Sequence, residues 1–229
     1  MDGLIILDKP VGITSARAVE KVKWLLPRRV RVGHAGALDP FATGVLILLI
    51  GRATRQCERI MGWRKTYHAT ARLGATTATD DADSPEQPHA VRDVEVSEIV
   101  DILQTFVGTI EQRPSRYSAV KISGRRACDL AREGREVALP PRPVQIHRIQ
   151  LLEYHWPALG FEVECGRGTY IRALARDIGE RLGVGAYLTA LRRSRIGPFG
   201  LEHAVRPDAL NAQNLPQHLL PLAALPAEA

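Results

Sequence analysis

The sequence predicts an α+β fold with a mixed, largely antiparallel central sheet flanked by helices. Strand-like and helix-like segments follow one another in no regular alternation, so a doubly wound parallel sheet is disfavoured. Residues 109–165 are mainly strand pattern interrupted by one short helix. With 229 residues, 45% of them hydrophobic, the chain can bury a proper core, and a single domain over residues 1–229 is expected.

Residues 4–7 read as a short buried strand, followed by the turn-like Pro10, Val11 and Gly12. A helix is predicted over residues 15–26, with Val19, Val22 and Leu26 on one stripe and Pro27 as its stop. The apolar run 45–50 suits a core strand. Tyr67, Ala69, Ala71 and Leu73 alternate with His68, Thr70 and Arg72, the period of a half-exposed strand. Ser97 can cap a helix whose Val100, Leu103 and Val107 face inward, with Gly108 as its stop. Further strands are predicted at 117–122, 144–152 and 161–165, with a short helix at 127–133. A last helix covers 171–182 and closes at Gly183. The acidic, proline-containing stretch 80–91 reads as an insertion loop.

Composition narrows the function. The longest apolar runs are too short to span a bilayer, and Asp2 and Asp8 stand where a secretory signal needs a basic start, so no membrane association and a cytoplasmic location are expected. Cys57, Cys128 and Cys165 are 71 and 37 residues apart, which argues against a disulfide framework or a cysteine-built zinc site. Net charge is +6, which favours a polyanionic partner, although arginine supplies 26 of the 31 basic residues and a GC-rich genome produces the same bias. Distribution says more than the sum. Segments 28–72, 113–148 and 167–195 carry nine, nine and seven basic residues against two, three and two acidic ones, while residues 80–101 hold eight acids and only Arg92. Three basic segments can converge on one polyanion-binding face.

The densest local signal is Val32-Gly33-His34-Ala35-Gly36-Ala37-Leu38-Asp39-Pro40-Phe41-Ala42-Thr43-Gly44-Val45-Leu46. Its glycines allow tight winding and close approach, and Pro40 keeps Asp39 out of helical geometry at the tip of the loop. A carboxylate held there can serve as nucleophile, base or metal ligand. Taken alone, an Asp-Pro turn whose side chain caps backbone amides is the plainer reading.

The segment resembles the catalytic motif of the TruB family of tRNA pseudouridine synthases, usually close to G-H-T-G-x-L-D-P-x-A-T-G, and departs from it at Ala35. Asp8-Lys9-Pro10-Val11-Gly12-Ile13-Thr14-Ser15 resembles the family's opening block and Lys65-Thr66-Tyr67 its tyrosine strand. Arg113-Pro114 through Tyr117-Ser118-Ala119-Val120-Lys121, Gly168-Thr169-Tyr170-Ile171-Arg172 and Leu191-Arg192-Arg193 complete the likeness over residues 4–199. The resemblance implies the pseudouridine synthase fold and an isomerase that converts the T-loop uridine at position 55 of tRNA to pseudouridine, without cofactor, metal or obligatory protein partner.

It also implies roles residue by residue. Asp39 matches the catalytic nucleophile, which adds to sugar or base or assists departure of the uracil anion. Arg172 matches the arginine that pairs with that aspartate. Tyr67 matches the tyrosine that packs on the target base and removes its C5 proton. Tyr170 and Leu191 match residues lining the uridine pocket. His34 matches the histidine that enters the RNA loop and supports the flipped nucleotide. Asp81 matches an acid contacting the rearranged RNA loop, while Asp80 and Asp83 read as loop solvation. Extrusion of the base is necessary because no nucleophile reaches a stacked nucleotide. Family members usually continue into a small RNA-binding domain of the PUA type, for which the residues after His203 are too few, so its absence is expected.

Other readings stay in view. An RNA-binding or RNA-folding module without catalysis shares the basic face but has no need for Asp39 together with Arg172. A metal-dependent hydrolase using Asp39 and the acids at 80–83 has poor ligand spacing. A guide-dependent rRNA pseudouridine synthase subunit shares much of the motif, but its chain is normally longer and works with partner proteins.

Overall fold

The computed structural model describes residues 1–89, 91–118, 120–122, 124–135 and 137–226. Ala119 of the fourth family-like block, Ala90 of the predicted insertion loop and the terminal Ala229 lie outside the described residues. The elements run β1 (Gly3–Lys9), α1 (Ser15–Lys23), β2 (Val32–His34), β3 (Thr43–Ile50), α2 (Cys57–Gly62) and β4 (Lys65–Leu73). Then come β5 (Ala75–Thr77), β6 (Glu86–Pro88), α3 (Val96–Gln104), β7 (Gly108–Gln112), β8 (Lys121–Ile122), β9 (Arg125–Arg126) and α4 (Ala127–Arg132). The chain ends with β10 (Arg142–His155), β11 (Ala158–Cys165), α5 (Ile171–Arg181), β12 (Ala186–Ile196), β13 (Phe199–Gly200) and α6 (Leu215–His218). They form two compact units, Met1–His68 with Leu191–Ala229, and Ala69–Ala190. β4 and β12 each carry the chain from one unit into the other.

In the first unit β1 lies antiparallel to β3, and β12 lies parallel to it, which makes the sheet mixed. The unbroken apolar run of β3 follows from burial on both faces. Val45, Ile47 and Leu49 pack with Leu4, Ile6, Ile60 and Phe199, while Leu46, Leu48 and Ile50 pack with Ile5, Leu7, Ala18, Val22 and Leu215. α1 begins where Thr14 caps it, its side chain accepting the Arg17 N–H. It ends at Lys23, three residues before the predicted end at Leu26, because Leu25 and Leu26 turn back to bond the carbonyls of Val22 and Lys23.

In the second unit β10 pairs antiparallel with β11 on one side and β7 on the other. The predicted alternation holds along β4, whose odd positions from Lys65 to Leu73 are all buried. α3 corrects its prediction. Ile99, Leu103 and Phe106 are buried while Val100 and Val107 are exposed, so the inward stripe is turned by one residue, toward the larger side chains. Glu95, not Ser97, occupies its cap, and Gly108 opens β7 at a φ of +110° after the helix has ended at Gln104. Among the described residues of the strand predicted at 117–122, only Lys121–Ile122 forms strand. α5 ends as predicted, with Gly183 in the left-handed region at φ +72°.

Candidate active site

In the first unit, the strands flanking β3 each bring one cation to the start of that strand. The β1 register sets Lys9 opposite Gly44, and the β12 register sets Arg193 opposite the same glycine. Both side chains are buried, Lys9 at 0% and Arg193 at 1% exposure. Buried cations need acceptors, and here main-chain carbonyls supply them. Lys9 Nζ donates to the carbonyls of Pro10 and Ile13 at 2.8 Å and to that of Pro40 at 3.3 Å. Arg193 Nε donates to Val45 at 2.7 Å, Nη2 to Gly36 at 3.0 Å and Nη1 to Ala37 at 3.3 Å.

These carbonyls bracket Asp39. Pro40 follows it, and Gly36 and Ala37 precede it by three and two positions. The buried Ser15 hydroxyl adds a third tie, accepting the Leu38 N–H at 2.8 Å and donating to the Leu38 carbonyl at 3.1 Å. The backbone on both sides of the half-buried Asp39 is therefore fixed. Gly44 is obligatory at the exit of the loop. Its φ is +102°, and a Cβ there would stand 2.2 Å from the Arg193 carbonyl oxygen. Burial pushes the Lys9 ammonium down to about 8, the Asp39 carboxylate opposing that fall and the Arg193 guanidinium adding to it.

Tyr67 is buried in the same unit, with its hydroxyl 3.5 Å from Arg193 Nη1 and the guanidinium carbon 5.9 Å from its ring centre. Leu191 is buried two residues before Arg193, and its carbonyl lies 3.5 Å from Thr43 Oγ1. His34 ends β2 half-buried, and its buried Nδ1 has no hydrogen-bond partner among the described residues. Burial, reinforced by the charge of Arg193, lowers its pKa, so the imidazole is neutral at neutral pH.

The other expected residues belong to the second unit. Arg172 is 4% exposed in the first turn of α5. It donates to the Thr79 carbonyl at 2.9 Å and the Tyr117 carbonyl at 3.0 Å, and lies 3.3 Å from Asp81 Oδ2. Tyr170 precedes that helix, where Gln112 accepts its N–H at 2.8 Å and donates to its carbonyl at 3.1 Å. The Arg142 guanidinium lies 5.0 Å from its ring centre. Burial raises the pKa of Asp81, its hydrogen bonds with Thr79 and Asp83 and the charge of Arg172 opposing. Asp80 is not loop solvation. It is buried at a φ of +58° and pairs with Arg176 at 2.9 Å.

Lys9, Ser15 and Arg193 lie inside the family-like motifs, but no local pattern marks them as supports of the Asp39 loop. The available signal was phase, since Arg193 shares the inward parity of Leu191 on β12. Among the described residues, no three His, Cys, Asp or Glu side chains gather where they could hold a metal ion, and no helix is long and apolar enough to cross a membrane.

A family model described as "TruB family pseudouridylate synthase (N terminal domain)" matches residues 23–171, and one described as "tRNA pseudouridylate synthase B C-terminal domain" matches residues 172–225. The "tRNA pseudouridine synthase B" of Corynebacterium diphtheriae is 47% identical over 89% of this chain and 70% of its own length. That of Bordetella pertussis is 43% identical over 99% of this chain and 94% of its own length. Among solved structures, a chain in a Cbf5-Nop10-Gar1 complex superimposes with a TM-score of 0.69 at 33% identity, covering 89% of this chain and 52% of that one. A chain in an H/ACA RNP bound to a substrate RNA containing 2'-deoxyuridine gives a TM-score of 0.69 at 30% identity, covering 93% of this chain and 53% of that one. This chain thus spans about half the length of these solved relatives.

Proposed function

Since the chain belongs to the TruB family of pseudouridylate synthases, we propose that it is a tRNA pseudouridine synthase that isomerises the T-loop uridine at position 55, with Asp39 as its nucleophile. The reaction breaks the bond from ribose C1′ to uracil N1, turns the detached base and joins C1′ to uracil C5. The C5 proton leaves and N1 gains one, so atoms balance without a co-reactant. Asp39 supplies the attacking carboxylate. Tyr67 packs on the base and takes the C5 proton, Tyr170 and Leu191 line its pocket, and His34, neutral at working pH, supports the extruded nucleotide. By the family likeness, Arg172 is assigned to the reacting carboxylate and Asp81 to the RNA loop. In this reading the enzyme acts on tRNA in the cytoplasm.

The observation that carries this reading is the clamping of the backbone around the half-buried Asp39 by Lys9, Ser15 and Arg193. Catalysis gains from a charged group whose position costs no reorganisation. A structural Asp-Pro turn has no need of two buried cations. The guide-dependent rRNA subunit is the weaker alternative, because identity is 43–47% to the tRNA enzymes and 30–33% to the solved Cbf5 and H/ACA chains.

The test incubates the protein with unmodified tRNA and maps pseudouridine. Modification at position 55 is expected, and Asp39→Asn should abolish it while changing RNA affinity by less than about tenfold. Turnover by that variant would remove Asp39 as nucleophile, and modification elsewhere would remove the T-loop assignment.

A further inference from the structure

The C-terminal end of α1 carries a surface that the proposed catalytic site does not use. Trp24 follows the last residue of that helix and is 80% exposed. Lys21 and Lys23 stand in the last turn beside it. The chain then makes a tight turn closed by the Val30 N–H on the Pro27 carbonyl at 3.0 Å, with Arg28 and Arg29 at its centre and Arg31 just beyond. All five cations are exposed. Among the described residues none of the five forms an ion pair, while the nearby acids are engaged, Glu20 with Arg17 and Asp208 with Arg206. The charge of Lys21 reaches Asp208 only weakly, as the last of the influences on that carboxyl.

An indole left in water among such cations has a specific chemistry. Its face stacks on a nucleobase and the cations take the flanking phosphates, a pairing of groups that recognises unpaired nucleotides. The patch is also placed for it. α1 starts at Ser15, which bonds the residue preceding Asp39, and its nine residues at 1.5 Å each put Trp24 about 14 Å further along the helix.

We propose that Trp24, with Lys21, Lys23, Arg28 and Arg29, is a second RNA-binding surface that stacks an unpaired or terminal base of the substrate outside the loop whose uridine reacts. It rests on the RNA substrate proposed above. The surface acts in binding rather than chemistry, so its loss falls on KM and not on kcat.

The experiment titrates the full chain with unmodified tRNA, with an isolated T-arm hairpin and with vesicles rich in anionic phospholipid, following tryptophan fluorescence. The chain has three tryptophans, and Trp63 is packed against Phe199. Quenching by tRNA that disappears in Trp24→Phe therefore reports Trp24. Trp24→Ala should weaken tRNA binding about fivefold or more, with Trp24→Phe recovering most of it. Lys23→Ala with Arg28→Ala should lower the salt dependence of binding by about one ion for each phosphate no longer neutralised. Unchanged tRNA affinity in both Trp24→Ala and the double variant overturns the proposal, as does a response of Trp24 to vesicles alone. Pseudouridine mapping in the same samples separates the two readings. Product formation with tRNA affinity unchanged in both Trp24→Ala and the double variant removes only the patch, whereas Trp24 quenching by tRNA without product removes only the assigned activity.

Discussion

Lys9 makes the buried electrostatics of the catalytic loop measurable. Its ammonium, ordinarily near 10.5, falls to about 8 in the folded chain, chiefly through burial. At 1.36 kcal/mol per pKa unit, the cation is about 3 kcal/mol harder to hold in the folded state than in water. Below about 8 both folded and unfolded chains keep the proton, so Lys9 adds no slope to stability there. Between about 8 and 10.5 the unfolded chain keeps a proton that the folded chain has released, so stability rises with pH by up to about 3 kcal/mol. Lys9→Met removes that rise while keeping the side chain's length. Urea unfolding of both proteins from neutral to alkaline pH isolates it as a difference curve, because the other titrating groups are common to the two. NMR of [13Cε]lysine reads the midpoint directly, with the Lys9→Met spectrum assigning one resonance among five lysines. Asp39→Asn should move that midpoint further down, since the Asp39 carboxylate is what holds it up. A flat difference curve, or a Lys9 midpoint at the ordinary value, would refute the argument.

Tyr67→Phe keeps the buried ring and deletes the hydroxyl, so kcat should fall by about 100-fold or more with RNA affinity little changed; full activity would place the proton acceptor elsewhere. Arg172→Lys keeps the charge but loses the fork that serves Thr79, Tyr117 and Asp81, and should cost about 2–4 kcal/mol in urea unfolding, with a loss under about 0.5 kcal/mol contradicting it. Gly44→Ala drives a methyl against the Arg193 carbonyl at a φ of +102°, and should destabilise the chain by about 3 kcal/mol or more and slow turnover, which calorimetry and the modification assay check together.

What the sequence by itself determined is local. The uninterrupted apolar run of β3, the alternation along β4, the glycine-framed loop with Asp39 ahead of Pro40 and the glycine stop of α5 each follow from neighbouring residues, because periodicity and backbone restriction act over a few positions. The motif likeness reached the family for the same reason, since its blocks are short and contiguous. Helix phase was already less legible. Val100 and Ile99 are both apolar, and only packing in the folded chain chose Ile99 to face inward. The supports of Asp39 were decided by tertiary structure alone. Arg193 meets Gly44 from the far end of the chain, through a parallel register that no local pattern specifies. Lys9 and Arg193 stay buried because folding gathers carbonyls from separate segments around them. A charge leaves water only where such acceptors converge, and that convergence is a property of the fold.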